Sequence, residues 1–167
     1  MSNQPPHPAG SAGQTVPRLD PVDHALLGAL TADARISVRA LADRLNISRA
    51  NAYSRLERLT REGVITGFSA RVDPHRAGLG TSAYVMLSVE QTAWRELKIA
   101  LREIPYVEHI ALVGGDFDVL LLVRAPDNTA LREVVLEHIQ AVEGVRTTRT
   151  WLIFEESDGR SAPWVRG

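Results

Sequence analysis

Arg49, Asn51, Ser54 and Arg55 fall within seven residues directly after Ser48, and together they could read a nucleic acid. Arginine and asparagine carry the paired hydrogen-bonding groups that match guanine and adenine edges in the major groove. Arg49 and Asn51, nearest the start of their element, are the expected base readers. Arg39, Arg44, Arg55 and Arg58 are expected to contact phosphates, which fixes register without reading sequence. A second constellation is Gly114-Gly115-Asp116-Phe117-Asp118. There the glycines would admit a ligand close to the backbone, and the Asp118 carboxylate could accept hydrogen bonds from an α-ammonium group.

The first set needs a helix presented by a tight turn, and the sequence supplies one. Asp20 precedes Pro21 and a stripe of Leu26, Leu27 and Leu30, which predicts a helix ending near Thr31. Ser37 caps a second helix, Val38 to Leu45, and Asn46 then supplies the left-handed turn. Ile47 is expected to plug the turn into the core. Ser48 caps a third helix running to about Glu62, with Ala52, Leu56 and Leu59 buried and Gly63 ending it. This is a helix-turn-helix, whose second helix enters the major groove with its N-terminal residues toward the bases. Three helices with surface arginines would also describe a plain helical subdomain. The agreement of two caps, the turn residue and one polar face favours DNA binding.

The second set needs a hairpin between two strands. Residues 64–72 are β-prone with a glycine inside, as in a wing or linking strand. Beyond Asp73-Pro74 the pattern reads β(81–90), α(93–104), β(107–113), β(117–124), α(128–141) and β(146–154). Gly114 to Asp118 is too short for a crossover helix, so the central strands form a hairpin and the order is the ferredoxin-like βαββαβ arrangement. The fold class is thus α+β. The expected divisions are a disordered tail 1–18, a helix-turn-helix 19–63, a wing or linking strand 64–80, a ferredoxin-like domain 81–156 and a C-terminal tail 157–167. Four strands with two helices on one side leave a sheet face uncovered, and its burial against a second copy predicts a homodimer.

Charge follows the same division. Residues 1–72 hold nine arginines against six acids, whereas 73–167 hold ten basic residues against fourteen acids. Between Arg35 and Arg61 seven arginines face only Asp43 and Glu57, a local field that attracts phosphates. There are no cysteines, which excludes disulfides, thiolate zinc sites and Cys nucleophiles. The five histidines show no HExxH spacing, so neither a metal nor a cofactor is expected. No apolar run approaches a membrane span and no signal-peptide layout opens the chain, so a cytoplasmic protein with no membrane partner is expected.

The runs LDPVDHALLGAL, RISVRALADRLNISRANAYSRLERLTREGVITGFSARVDP, LVGGDFDVLLLVRAPD and GVRTTRTWLIFEE resemble the Lrp/AsnC family of feast-or-famine regulators, from Leu19 to Glu156. The resemblance implies a transcription regulator with an N-terminal helix-turn-helix and a ferredoxin-like C-terminal domain. It also implies dimers that assemble to tetramers or octamers, and control by an amino acid bound between C-terminal domains. It places effector-response positions in the last strand, at Thr150, Trp151, Leu152 and Ile153, beside the Gly114, Gly115, Asp116 and Asp118 loop. Two departures are Asn46 where the family usually has glycine, and Gly114 where many members carry a hydroxyl.

A competing class uses the same residues. A Gly-Gly-Asp turn between central strands resembles the hairpin of diguanylate cyclases, so a nucleotide-cyclising enzyme or a stand-alone metabolite-binding module is the alternative. Against catalysis, the first strand offers no acid except Glu90 at its end, and Lys98 is the only lysine to steady a triphosphate.

Overall fold

The computed structural model describes residues 17–90 and 94–157. The expected tails therefore lie almost wholly outside the described residues. The described chain falls into two units, divided between Ala70 and Arg71.

The first unit holds three helices, α1 (Pro21–Ala32), α2 (Val38–Leu45) and α3 (Arg49–Arg61). α1 starts with a reciprocal cap in which the Asp20 carboxylate accepts from the Asp23 N–H and the Asp23 carboxylate accepts from the Asp20 N–H. Ser37 and Ser48 cap α2 and α3 by accepting from the Ala40 and Asn51 N–H groups. Asn46 takes the left-handed conformation, φ 53° and ψ 47°, that the turn requires. Gly63 does the same after α3, at φ 71°. Leu26, Ala29, Leu30, Leu41, Leu59 and Ile65 form the core, with Leu56 and Val64 packed at its edge.

Two expectations fail here. Ile47 is only half-buried and lies outside that core; the turn is held instead by its N–H, which donates to the Ala42 carbonyl. Residues 64–72 form no strand. Val64 and Ile65 donate their N–H groups back to Leu59 as a helix-terminating turn, so the segment's β-prone residues serve the helical core rather than a ladder.

The second unit is β1 (Thr81–Val89), α4 (Trp94–Arg102), β2 (Val107–Leu112), β3 (Val119–Ala125), α5 (Asn128–Glu133) continuing into a π-helical turn (Val134–Ile139), and β4 (Val145–Ile153). The strand order is β2-β3-β1-β4, antiparallel throughout, the ferredoxin-like arrangement. The π-turn closes with the Gln140 N–H donating to the Val135 carbonyl, and Val134, Val135 and Ile139 are all buried. Ala83, Val85, Leu87 and Val89 of β1 and Val119, Leu121, Val123 and Ala125 of β3 point to the helices. Their alternates point the other way. On that open face Tyr84 lies between Leu122 and Trp151, and Met86 between Leu120 and Arg149. Among the described residues no helix is long and apolar enough to cross a membrane.

Candidate nucleic-acid and effector sites

α3 follows the Asn46 turn with its first residues unencumbered. Arg49, Asn51 and Ser54 are exposed, as are Arg39 and Arg44 of α2, and Ser48 holds the helix N-terminus through its cap bond. Arg39, Arg44 and Arg49 make no ion pair among the described residues, so their guanidinium groups are available to anions. Tyr53, 60% exposed on α3, is a contact candidate that the sequence reading passed over. The signal was an aromatic side chain on the polar face of the expected recognition helix, where nothing in the fold needs it.

Arg55 and Arg58 are placed differently from the expectation of free phosphate contacts. Arg55 donates to Asp20 and Asp23, both at 2.7 Å, and Arg58 donates to Asp23 at 2.7 Å and to Glu62 at 3.2 Å. Asp23 is buried, with a side-chain exposure of 1%, so its charge must be matched from within the protein. Burial would raise its pKa; the hydrogen bond from the Asp20 N–H and those from Arg58 and Arg55 overcome that and hold it below the usual carboxylate value. Asp20 is lowered too, first by the Asp23 N–H and then by Arg55. Both arginines are pushed up, chiefly by hydrogen bonds to these carboxylates. Two of the seven arginines in the basic stretch are thus neutralised at home.

The loop between β2 and β3 also departs from expectation. Gly115 has φ +146°, a conformation that disfavours any side chain, and Gly114, Gly115 and Asp116 are exposed. Asp118, however, is already engaged. Its Oδ2 accepts from the Val89 N–H at 2.8 Å, its own N–H donates to the Leu87 carbonyl, and its carbonyl accepts from the Val113 N–H. β3 pairs with β1 only as far as Leu87, so the carboxylate supplies the acceptor that the ladder no longer offers Val89. Its other carboxylate oxygen has no hydrogen bond among the described residues.

Thr150, Trp151, Leu152 and Ile153 do not line one surface. Trp151 pairs with Tyr84 on the open face, whereas Thr150 and Leu152 pair with Val85 and Ala83 on the helix face. Nor do they meet the loop within one chain. They flank Ser82 to Val85, while the loop joins the sheet at Leu87 to Val89, beginning about 7 Å further along β1 and on its opposite side.

The remaining charged cluster is Arg124, at the end of β3. It donates to Glu108 at 2.6 Å and to Ser82 at 3.0 Å, and pairs with Glu156 at 2.9 Å. Burial disfavours its charge, but the bonds to Glu156 and Glu108 leave its pKa raised. No group of three or more His, Asp or Glu side chains among the described residues could hold a metal ion.

Residues 19–66 match a winged helix-turn-helix DNA-binding domain and residues 82–162 match the Lrp/AsnC ligand-binding domain. The leucine-responsive regulatory protein of Escherichia coli K12 is 33% identical over 141 residues, covering 83% of this chain and 86% of that one. The solved leucine response regulatory protein of Mycobacterium tuberculosis has 31% identity and a TM-score of 0.75, covering 86% and 98% of the two chains. A transcriptional regulator of Neisseria meningitidis, solved as a complex with L-Met, shares the fold at TM-score 0.80 and 24% identity, covering 87% and 97%. With a DNA-binding helix-turn-helix joined to that ligand-binding domain, the chain belongs to the Lrp/AsnC family of transcription regulators.

Proposed function

We propose that this regulator reads double-stranded DNA with Arg49, Asn51 and Ser54, holds the backbone with Arg39 and Arg44, and responds to an amino acid through a site shared between copies of the second unit. The observation that carries the DNA contacts is the sorting of the arginines. Arg39, Arg44 and Arg49 are exposed and unpaired among the described residues, while Arg55 and Arg58 are held by carboxylates. Phosphate contact is therefore assigned to Arg39 and Arg44 and withdrawn from Arg55 and Arg58, a revision of the reading from sequence.

The open sheet face supports a homodimer, the unit from which tetramers or octamers would be built. Tyr84, Leu122, Leu120 and Trp151 form an apolar patch there around the buried Met86, and Trp151 is 62% exposed. A patch of that kind is covered most simply by its own copy across a two-fold axis. Pairing also resolves the separation of Gly114–Asp118 from Thr150–Ile153, because a pocket can take the loop from one copy and the strand from another. The amino-acid class is supported by the relatives named above, one leucine-responsive and one solved with L-Met. The exposed backbone of Gly114 and Gly115 suits a ligand carboxylate, and Asp116 with the free oxygen of Asp118 suits its ammonium. An effector acts only through unequal affinity for two states, typically about 1–3 kcal/mol of coupling.

Gel shifts with the DNA upstream of its own gene, at several salt concentrations and with each of the twenty amino acids, test this reading. Binding should weaken steeply with salt, and Arg39→Ala should lower the salt slope by about one unit. At least one amino acid should shift the affinity. A folded protein with no DNA affinity at low salt would overturn the assignment. So would an effector response unaltered by both Gly115→Val and Trp151→Ala.

A further inference from the structure

Asn51 and Arg55 stand one helical turn apart on α3. The Arg55 Nε–H donates to Asn51 Oδ1 at 2.7 Å, while its Nη1 is held by Asp20 and Asp23. A guanidinium has no acceptor, so the atom facing it must be the amide oxygen, which fixes which way the Asn51 amide is turned. We propose that Arg55 is a positioning residue for DNA recognition: anchored by the carboxylates of α1, it holds the Asn51 amide with its NH2 outward toward the base edges. This rests on the assignment of Asn51 as a base reader.

The physical content is pre-organisation. Asn51 is exposed, and a free side chain there would sample several rotamers and both amide orientations, most of them useless for a base contact. Arg55 is half-buried, and two carboxylates separated from it by more than thirty residues restrain it. The restraint passes from α1 through one guanidinium to the reader. A held oxygen leaves Asn51 both Nδ2 hydrogens and one lone pair, so it favours acceptor-rich edges such as guanine N7 and O6. Because the Arg55 charge is matched within the protein, its removal should alter which base is chosen more than how strongly salt weakens binding.

The test is site selection by the full-length chain from a randomised duplex pool, followed by salt titration on the selected duplex. Wild type, Asn51→Ala, Arg55→Ala and Arg55→Lys are compared. Asn51→Ala should relax the preference at one base pair in each half-site by about fivefold or more. Arg55→Ala and Arg55→Lys should relax the same base pair, with the salt slope within half a unit of wild type. Lysine can still pair with Asp23 but cannot hold carboxylates and Asn51 through one planar fork, so Arg55→Lys decides the matter if Arg55→Ala does not fold. An Arg55→Lys protein with wild-type preference would overturn the positioning role while leaving Asn51 as a reader. A salt slope reduced by about one unit in Arg55→Ala at unchanged preference would return Arg55 to phosphate contact. An Asn51→Ala protein with unchanged preference would overturn the reader assignment and the proposal with it.

Discussion

In the unit through Ala70, a core cluster of six buried apolar side chains shares the interior with a buried aspartate and the two arginines it binds. The unit from Arg71 closes over a cluster of fourteen buried apolar residues, and its one buried charge among the described residues, Arg124, sits at the end of a strand. The difference follows from size. About fifty residues in three short helices cannot remove enough apolar surface from water to fix the helices by burial alone, whereas a sheet covered by two helices can. The small unit supplements its core with directional contacts, and those contacts run into the face proposed to meet DNA. Stability and recognition are therefore coupled in the first unit, while the second can be changed in its core without touching the reader.

The strongest way to break this contrast is to open the apolar core. Leu121→Ala removes a fully buried side chain from the middle of β3 and should destabilise the second unit by about 2–5 kcal/mol. Hydrogen exchange on the full-length chain should show the loss across β1, β3 and β4, with the amides of α1 to α3 unchanged.

In the first unit the equivalent blow is to charge. Asp23→Asn keeps shape but withdraws the carboxylate that Arg55 and Arg58 share, and should destabilise that unit by roughly 1.5–3 kcal/mol, the range for hydrogen bonds to charged groups. Chemical denaturation followed at Tyr53, the only tyrosine in residues 1–70, reads it. A change below half a kcal/mol would mean that apolar packing alone holds α3 to α1.

Acid should sharpen the same distinction. Asp20 and Asp23 have lower pKa values folded than unfolded, so below about pH 4 the unfolded chain takes up protons that the folded unit resists. Their contribution is complete above the unfolded value and is lost as pH falls through the folded values. Amide spectra recorded from pH 6 to pH 2 should lose α1 and α3 dispersion in that window, and Asp23→Asn should flatten the dependence.

The sequence made the helices and strands legible because their signals are local. Asp20, Ser37 and Ser48 each precede a helix by one residue, alternation marks β1, and a continuous apolar run marks β3. What it concealed was contact at a distance. Nothing near Arg55 announces that its partners lie at the start of α1, so from sequence alone an arginine on the polar face of the expected recognition helix reads as a phosphate contact. Residues 64–72 misled because β-propensity reports side chains that pack on a pleated surface, and Val64 and Ile65 found a helical one. The resemblance places four effector positions together in the last strand, whereas a strand turns Trp151 and Leu152 to opposite faces.

The mildest test concerns the turn that presents α3, where Asn46 stands in place of the glycine more usual in the family. Its backbone, φ 53° and ψ 47°, is one that a side chain with a Cβ adopts at a cost of about 1–2 kcal/mol unless, like Asn, it can bond locally. Asn46→Ala should therefore destabilise the first unit by about 1 kcal/mol. Asn46→Gly removes the Cβ strain but gives the unfolded chain more freedom, and these oppose each other to leave a net change within about 0.5 kcal/mol. Both substitutions are exposed and lie away from the Asp23 cluster, so their effects should add to that of Asp23→Asn. Thermal unfolding of the two single and two double variants would measure this. Clear non-additivity would show that the turn and the charge cluster are one structure, and the contrast between a unit fixed at separate points and one fixed by a continuous core would fail.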